Sequence, residues 1–333
     1  MKKILLTGGN GFIGHNLAIF LKNKNYDVNI IDSLGVNNLL SFTDTEIVNQ
    51  NLYRTILNER INLLNLNKIN LNVVDARDYH AYSKIYTKFT PDIVIHLAAV
   101  SHANKSNKDP HSTFDHSLRT LENTLDVCRK KKTHVIYFSS SMVYGNFNSK
   151  SVNEETKCEP IGIYGNLKYA GELMVKSYNQ VFDLPYTIIR PSALYGERCV
   201  SRRVGQIFIE NILTGKDLVI NGDGEDKLDF TYIDDLMDGV EKCCSNEKAY
   251  NQTFNLTYGK SKKIIDLINI LKKNFDNIKI QKKDKEAFMP ERGTLDIRKA
   301  KELINYSPSF PVEKGYQEYI NWYKKFYNSN VKK

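Results

Sequence analysis

Short apolar runs punctuate the first 190 positions, and between them apolar residues return at three- and four-residue intervals. Residues 2–6, 28–32, 71–74, 93–96, 135–139 and 186–190 are near-continuous apolar runs of strand length. Such runs read as strands buried on both faces. Helical periodicity fills the intervals, first at Leu17, Ala18 and Leu21, then over 79–88, 112–131 and 165–182. Strands alternating with helices predict a parallel, doubly wound α/β sheet. Beyond residue 190 the rhythm changes. An amphipathic helix over 204–214 precedes a strand at 218–220 and the turn Gly222-Asp223-Gly224. The last third is lysine-rich helix and loop, ending in an aromatic helix over 316–327. Residues 230–244 and the strand 254–257 read as a return to the first lobe. The expected division is 1–189 with 229–258 returning to it, and a smaller α/β lobe from 190–228 and 259–333. A ligand site is expected between the lobes, at the carboxyl ends of the strands.

One connection is longer than a tight crossover needs. Between residues 36 and 68, Leu52, Ile56, Arg60 and Leu63 can share one helix face. The segment is either a surface insertion or a flap over the cleft.

The first strand runs into Thr7-Gly8-Gly9-Asn10-Gly11-Phe12-Ile13-Gly14, placing Gly8, Gly11 and Gly14 three apart just before a helical pattern. Strand, glycine turn and helix start form the context of a dinucleotide site. The glycines permit a tight turn and close backbone approach to a pyrophosphate resting on the helix N-terminus. The second strand ends at Asp32, an acid suited to the adenosine ribose hydroxyls and repulsive to a 2′-phosphate. The expected cofactor is therefore NAD.

Tyr164-Gly165-Asn166-Leu167-Lys168 supplies the second piece of chemistry. Tyrosine and lysine four apart on a helix share a face, so an ammonium can sit beside a phenol and favour its ionised form. Ser140 lies 24 residues upstream and can hold the substrate oxygen that this tyrosine deprotonates. Beside a dinucleotide, these groups suit hydride transfer at a carbinol carbon. Tyr144 is a rival phenol, but no lysine follows it at four residues. Alternation along a strand lets only one of the two parities among Ser139, Ser140 and Ser141 reach the cleft.

On these residues the chain resembles the extended short-chain dehydrogenase/reductases that act as nucleotide-sugar epimerases and dehydratases. The resemblance covers almost the whole chain. It runs through the glycine turn, Asp32, Asp75-Ala76, His96-Leu97-Ala98-Ala99, residues 139–145, the Tyr164/Lys168 pair, 190–196, 229–235 and 290–293. It implies cofactor contacts from Gly8, Gly11, Phe12, Ile13, Gly14, Asp32, Asp75 (at the adenine), Ala76, Leu97, Ala98, Ala99, Tyr164 and Lys168. It implies catalysis by Ser140, Tyr164 and Lys168, with Ser140, Met142 and Arg292 on a nucleotide-diphosphate sugar, where Arg203 is expected as well although the resemblance does not match it. Arg292 matches the arginine that meets the diphosphate or ribose. A homodimer through the helices near 112–131 and 165–182, and a place in polysaccharide biosynthesis, are further implications.

The neighbours of Ser140 sort the reactions. The family's 4,6-dehydratases carry an acidic pair, or at least a glutamate, after the catalytic hydroxyl, where this chain has Ser141 and Met142. A thioether takes no proton at neutral pH, so that base is missing. The GDP-fucose-forming epimerase/reductases place a cysteine at Met142, and it too is absent. C4 redox chemistry is left. Epimerisation needs no partner oxidant, whereas a 4-ketoreductase or 4-dehydrogenase needs a second redox substrate. Three departures bear on the sugar and the base. Ala193 stands where many members have asparagine. Leu228, with Lys227 beside it, stands where they have arginine. His116 replaces a usual asparagine. Arg202 and Arg203 are unmatched cations suited to the missing role. His96 and His102 face the cofactor region by resemblance and read as hydrogen-bonded structure.

Charge and composition remove other classes. The net charge is +9, but the lysines are dispersed and runs such as 129–132 and 282–285 lack interleaved aromatics, which argues against nucleic acid. The excess suits attraction of an anionic nucleotide sugar. The five cysteines, at 128, 158, 199, 243 and 244, lack metal or disulfide spacing, so no metal is expected and a cytoplasmic setting is. No run approaches the roughly 18 apolar residues of a membrane span. A catalytically silent NAD-sensing protein on the same scaffold is the non-enzyme alternative. The joint presence of Ser140, Tyr164 and Lys168 argues against it.

Overall fold

The apolar runs assemble into one seven-stranded sheet in which every neighbouring pair is parallel. The computed structural model describes residues 1–43, 48–101, 103–284 and 290–330; His102 and Lys285 lie outside them. In chain order the first half comprises β1 (Lys3–Thr7), α1 (Phe12–Asn23), β2 (Asp27–Asp32), α2 (Gln50–Leu66), β3 (Asn70–Val73), α3 (Tyr79–Phe89), β4 (Ile93–His96), α4 (Ala103–Lys108), α5 (Pro110–Phe114), α6 (Thr120–Arg129), β5 (His134–Phe138), β6 (Ser151–Val152) and α7 (Gly162–Phe182). Then come β7 (Tyr186–Arg190), β8 (Leu194–Tyr195), α8 (Val204–Leu213), β9 (Leu218–Asn221), β10 (Lys227–Leu228), β11 (Thr231–Tyr232), α9 (Ile233–Ser245) and β12 (Gln252–Asn255). The remainder is β13 (Lys262–Lys263), α10 (Ile264–Lys272), β14 (Ile280–Lys283), β15 (Thr294–Leu295), α11 (Arg298–Ile304) and α12 (Val312–Asn330).

Sheet order is β12-β7-β5-β4-β1-β2-β3. The order reverses between β1 and β4, the switch point at which open α/β sheets bind ligands. Four central strands are buried at nearly every position, which is why they read as unbroken apolar runs. Late in the chain, β12 completes the sheet beside β7, with Phe254 opposite Ile189.

Two local outcomes bear on the site. Between α5 and α6 the helix widens into a π-turn over Asp115–Arg119, a feature frequent at functional sites. The periodic segment 112–131 is thus three helical pieces rather than one. The long connection after β2 is not a superficial insertion. Helix α2 buries Leu52, Tyr53, Ile56, Leu57, Arg60 and Leu64. It packs against α1 and α12. Its Tyr53 hydroxyl donates to Glu210 of α8 at 2.6 Å, and Tyr323 of α12 donates to the same carboxyl group at 2.8 Å. Leu63 is only half-buried, one position off the face inferred from its spacing, and Leu64 takes the inward place. The segment is a buttress that joins α1 to α8 and α12.

Candidate active site

The glycine turn follows β1 because no side chain fits there. Gly8 has φ +72°, and a Cβ on it would lie 2.8 Å from the Ala98 amide nitrogen. A Cβ on Gly14 would stand 2.5 Å from Gly9 Cα, so α1 could not close onto the turn. Helix α1 begins with no side-chain cap and no acid in its first turn. Its first N–H groups and positive dipole end are therefore open to an anion. One cavity is lined by Gly8, Gly11, Phe12, Ile13, Gly14, Asp32, Asp75, Ala76, Leu97, Ala98 and Ala99, together with Arg60, His116 and Arg203. All eleven residues expected at the cofactor apart from Tyr164 and Lys168 thus surround one space. Its shape, glycine floor and uncapped helix fit a dinucleotide.

Asp32 lies at the carboxyl end of β2, where the Asn10 and Leu34 amides donate to its two oxygens at 2.9 and 2.7 Å. Burial pushes its pKa up, while those amides and Arg60 pull it down. Asp75 accepts a bidentate pair from Arg77, at 3.1 and 2.6 Å, and Arg77 reaches on to Asp115 of the π-turn at 2.5 Å. The acid expected at the adenine is thereby fixed in direction.

The proposed catalytic groups form a second cluster beside that cavity. Strand β5 ends at Phe138, and Ser140 caps the following 3-10 turn (Ser141–Tyr144), its Oγ accepting from the Met142 amide at 3.2 Å. Because the chain turns here, strand alternation stops. Ser139 faces backward and donates to Glu172 at 2.5 Å, while Ser140 and Ser141 both face the site. The two-residue parity expected from an extended strand does not hold past Phe138.

Tyr164 lies in the first turn of α7, with its phenol on the side of Ser140. Burial raises the phenol's pKa; Arg203, Ser140 and Arg292 pull it down, in that order. Lys168 does share the helix face, but its ammonium donates to the Phe138 carbonyl at 2.7 Å and lies 5.4 Å from the Tyr137 ring centroid. Arg203 and Arg292 are thus cations that favour the ionised phenol, while Lys168 is anchored to the end of β5. Burial lowers the Lys168 pKa to about 8 against the opposing field of Glu172.

Arg292 donates to Met142 Sδ at 2.8 Å and to Ser141 Oγ, and its Nε is buried without a partner. Arg203 donates to the Ser101 carbonyl at 3.3 Å, and its Nε is likewise orphaned. Neither arginine forms an ion pair among the described residues. Arg203 both lines the cofactor cavity and acts on Tyr164, so it joins the two clusters. Arg202 is engaged elsewhere, with the Tyr53 hydroxyl at 3.2 Å. His96 Nδ1 sits between the hydroxyls of Thr7 and Thr124 at 3.0 and 2.9 Å, and burial holds its pKa near 3, so it is a neutral structural group.

Two groups escaped the sequence reading. Glu172, one turn beyond Lys168, is fully buried and bonded to Arg190 through Nε at 2.9 Å and Nη2 at 2.7 Å. The i, i+4 spacing from Lys168 was the available signal. Arg190 ties α7 to β7 and donates to the Tyr144 hydroxyl at 3.0 Å. The second group is Arg60, which its spacing puts on a helix face and which the fold buries against the cofactor cavity.

The chain is similar throughout its length to proteins of known kind. It is 31% identical over 329 residues to a putative UDP-glucose 4-epimerase of Methanocaldococcus jannaschii, covering 96% of this chain and 98% of the relative. It is 26% identical to UDP-glucuronate 4-epimerase 1 of Arabidopsis thaliana, covering 99% of this chain and 78% of that protein. The crystal structure of UDP-glucuronic acid 4-epimerase from Bacillus cereus, in complex with UDP-glucuronic acid and NAD, superposes with a TM-score of 0.87. That alignment has 29% identity and covers 98% of this chain and 100% of that one. Residues 4–257 match the model of the NAD dependent epimerase/dehydratase family, and the chain belongs to that family of NAD-dependent enzymes.

Proposed function

We propose that this protein is a nucleotide-sugar C4 epimerase that acts by transient oxidation at C4. The observation that carries the reading is the Tyr164 phenol on α7, whose ionised form Arg203, Ser140 and Arg292 favour, with no carboxyl group at positions 141 and 142. Ser140 holds the 4-oxygen of the sugar, and Tyr164 takes the 4-hydroxyl proton and later returns it to the oxygen of the 4-keto sugar. Bound NAD supplies the hydride acceptor and then donor, and a positive nicotinamide ring whose field favours the phenolate. Lys168 fixes the end of β5 against α7, so that Ser140 and Tyr164 face each other. Arg292 and Arg203 are the groups for the negative charge of the nucleotide diphosphate or of an acidic sugar. Gly8, Gly11, Gly14, Asp32 and Asp75 would hold the cofactor. The relatives' 4-epimerase activities on UDP-sugars support the same reading.

Reduction of a keto sugar by the same groups is the second reading, since nothing in Ser140, Tyr164 and Lys168 distinguishes the two directions. The test is an NMR time course in D₂O, without added cofactor, on UDP-glucose, UDP-glucuronate and their N-acetylated and GDP, dTDP and CDP counterparts. Epimerisation predicts a C4 epimer that carries no deuterium at C4. No conversion of any of these, together with oxidation of added NADH by a 4-keto sugar, would replace epimerase with reductase. The assembly is proposed to be a homodimer through α6 and α7, where Leu173 and Val181 are exposed. A monomer by light scattering would overturn that part alone.

A further inference from the structure

Arg60 is fully buried, at 0% exposure, and lines the same cavity as the glycine turn. Its three nitrogens donate to backbone carbonyls only: Nη1 to Asn10 at 3.2 Å, Nε to Arg198 at 3.1 Å, and Nη2 to Arg198 as well. No carboxylate pairs with it among the described residues. Glu59, its neighbour on α2, turns to the Arg198 side chain at 3.6 Å instead. A guanidinium taken out of water without a counter-ion is costly, and carbonyl bonds make good only part of the lost hydration. Burial lowers its pKa to about 10 against the opposing fields of Cys199 and Asp32.

The surroundings add to the unpaired positive charge. Asn10, whose carbonyl Arg60 grips, belongs to the glycine turn that delivers the chain into α1, so the guanidinium and the uncapped start of α1 lie at one end of the cavity. The nearby carboxylate, Asp32, already receives amide bonds at both oxygens. The missing partner is thus an anion that enters the cavity beside the glycine turn.

We propose that Arg60 is the counter-ion of the NAD diphosphate, and that the long α2 connection exists to deliver it. The chemistry called for is a diphosphate flanked by sugars, which offers paired oxygens to the remaining N–H groups of the guanidinium fork. Arg60 would then bind the cofactor through α2, while its bonds to the Arg198 carbonyl tie that grip to the start of the second lobe. The assignment requires only that the protein binds NAD, and is independent of which sugar is epimerised.

The test measures cofactor binding rather than turnover. Arg60→Lys and Arg60→Met are purified beside the native protein, NAD carried through purification is quantified after acid release, and the dissociation constants of NAD, ADP and adenosine are measured after stripping. Loss of the diphosphate contact should weaken NAD and ADP at least tenfold and leave adenosine within twofold. Equal weakening of all three, or none of any, would overturn the assignment in favour of a purely structural arginine. Should Arg60→Met fail to fold, Arg60→Lys decides the matter. It keeps the charge but not the fork, and should still lower NAD and ADP affinity relative to adenosine. Native affinities for NAD and ADP that do not fall with ionic strength would also count against a charge contact.

Discussion

The ammonium of Lys168 donates to the carbonyl oxygen of Phe138 at 2.7 Å, across the junction of α7 and the last residue of β5. The bond joins the helix that carries Tyr164 to the strand end that carries Ser140. It also buries a cation, which holds the Lys168 pKa near 8. In the unfolded chain a lysine titrates near 10.4, so between the two values the native protein binds fewer protons than the unfolded one. Stability from this group therefore rises as pH climbs from about 8 to about 10, and its burden is fully present below 8. The shift corresponds to roughly 3 kcal/mol. Urea unfolding of the cofactor-free protein from pH 7 to 10 should show this rise, and Lys168→Met should flatten it. Parallel profiles would place the titration on another group.

Glu172 and Arg190 are the buried ion pair behind that junction, at 0% and 3% side-chain exposure. Breaking a pair like this leaves one uncompensated buried charge, typically at about 3–5 kcal/mol. Glu172→Gln should destabilise by that order, and it should lower the Lys168 pKa further by removing the carboxylate that supports its charge. Glu172→Gln with Arg190→Met should cost less than the sum of the single changes, because neither charge is then stranded. Strict additivity would show that the pair is not the unit of stabilisation.

The sheet was legible because central strands buried on both faces leave unbroken apolar runs, and 93–96 and 186–190 were bounded to the residue. The glycine turn was legible because its steric demands leave only glycine at Gly8 and Gly14. What the residue order concealed was the direction of side chains once the strand stopped. Periodicity extrapolated past Phe138 could not show Ser140 and Ser141 both facing the site. Spacing put Lys168 on the face of Tyr164 but could not say that a backbone carbonyl would claim the ammonium. Arg60 was hidden for a related reason. A charged residue at an apolar interval looks like a break in the pattern until the partner elements, here the glycine turn and Arg198, are seen around it.

Arg292 and Arg203 carry orphaned buried donors, and the field of each acts on the phenol. An anionic substrate would supply their missing acceptors. Arg292→Met should raise KM for the nucleotide sugar tenfold or more while leaving the NAD content unchanged. If the sugar itself is acidic, Arg203→Met should depress kcat/KM more for a UDP-uronate than for the neutral UDP-hexose. Unchanged KM in Arg292→Met would show that this guanidinium serves only to support Met142 and Ser141.

Tyr164 is the group on which the catalytic assignment stands, and its environment sets how the change should register. The phenol is raised by burial in the protein alone, so it is protonated at neutral pH and must be brought to ionise within the loaded site. Removing the hydroxyl in Tyr164→Phe deletes the proton acceptor yet keeps the ring that fills the first turn of α7. General-base catalysis contributes about 10² to 10⁴ in rate, so turnover should fall by that range or more. Bound NAD should persist, because the glycine turn, Asp32 and the cavity walls are untouched. Ser140→Ala should fall less steeply, since Tyr164 keeps its place on α7 and both arginines keep their field. A Tyr164→Phe protein with full turnover would move the base elsewhere. Tyr144, a buried phenol near the turn, is already committed to Asn255 at 2.7 Å and to Arg190, and offers no free route to a substrate oxygen.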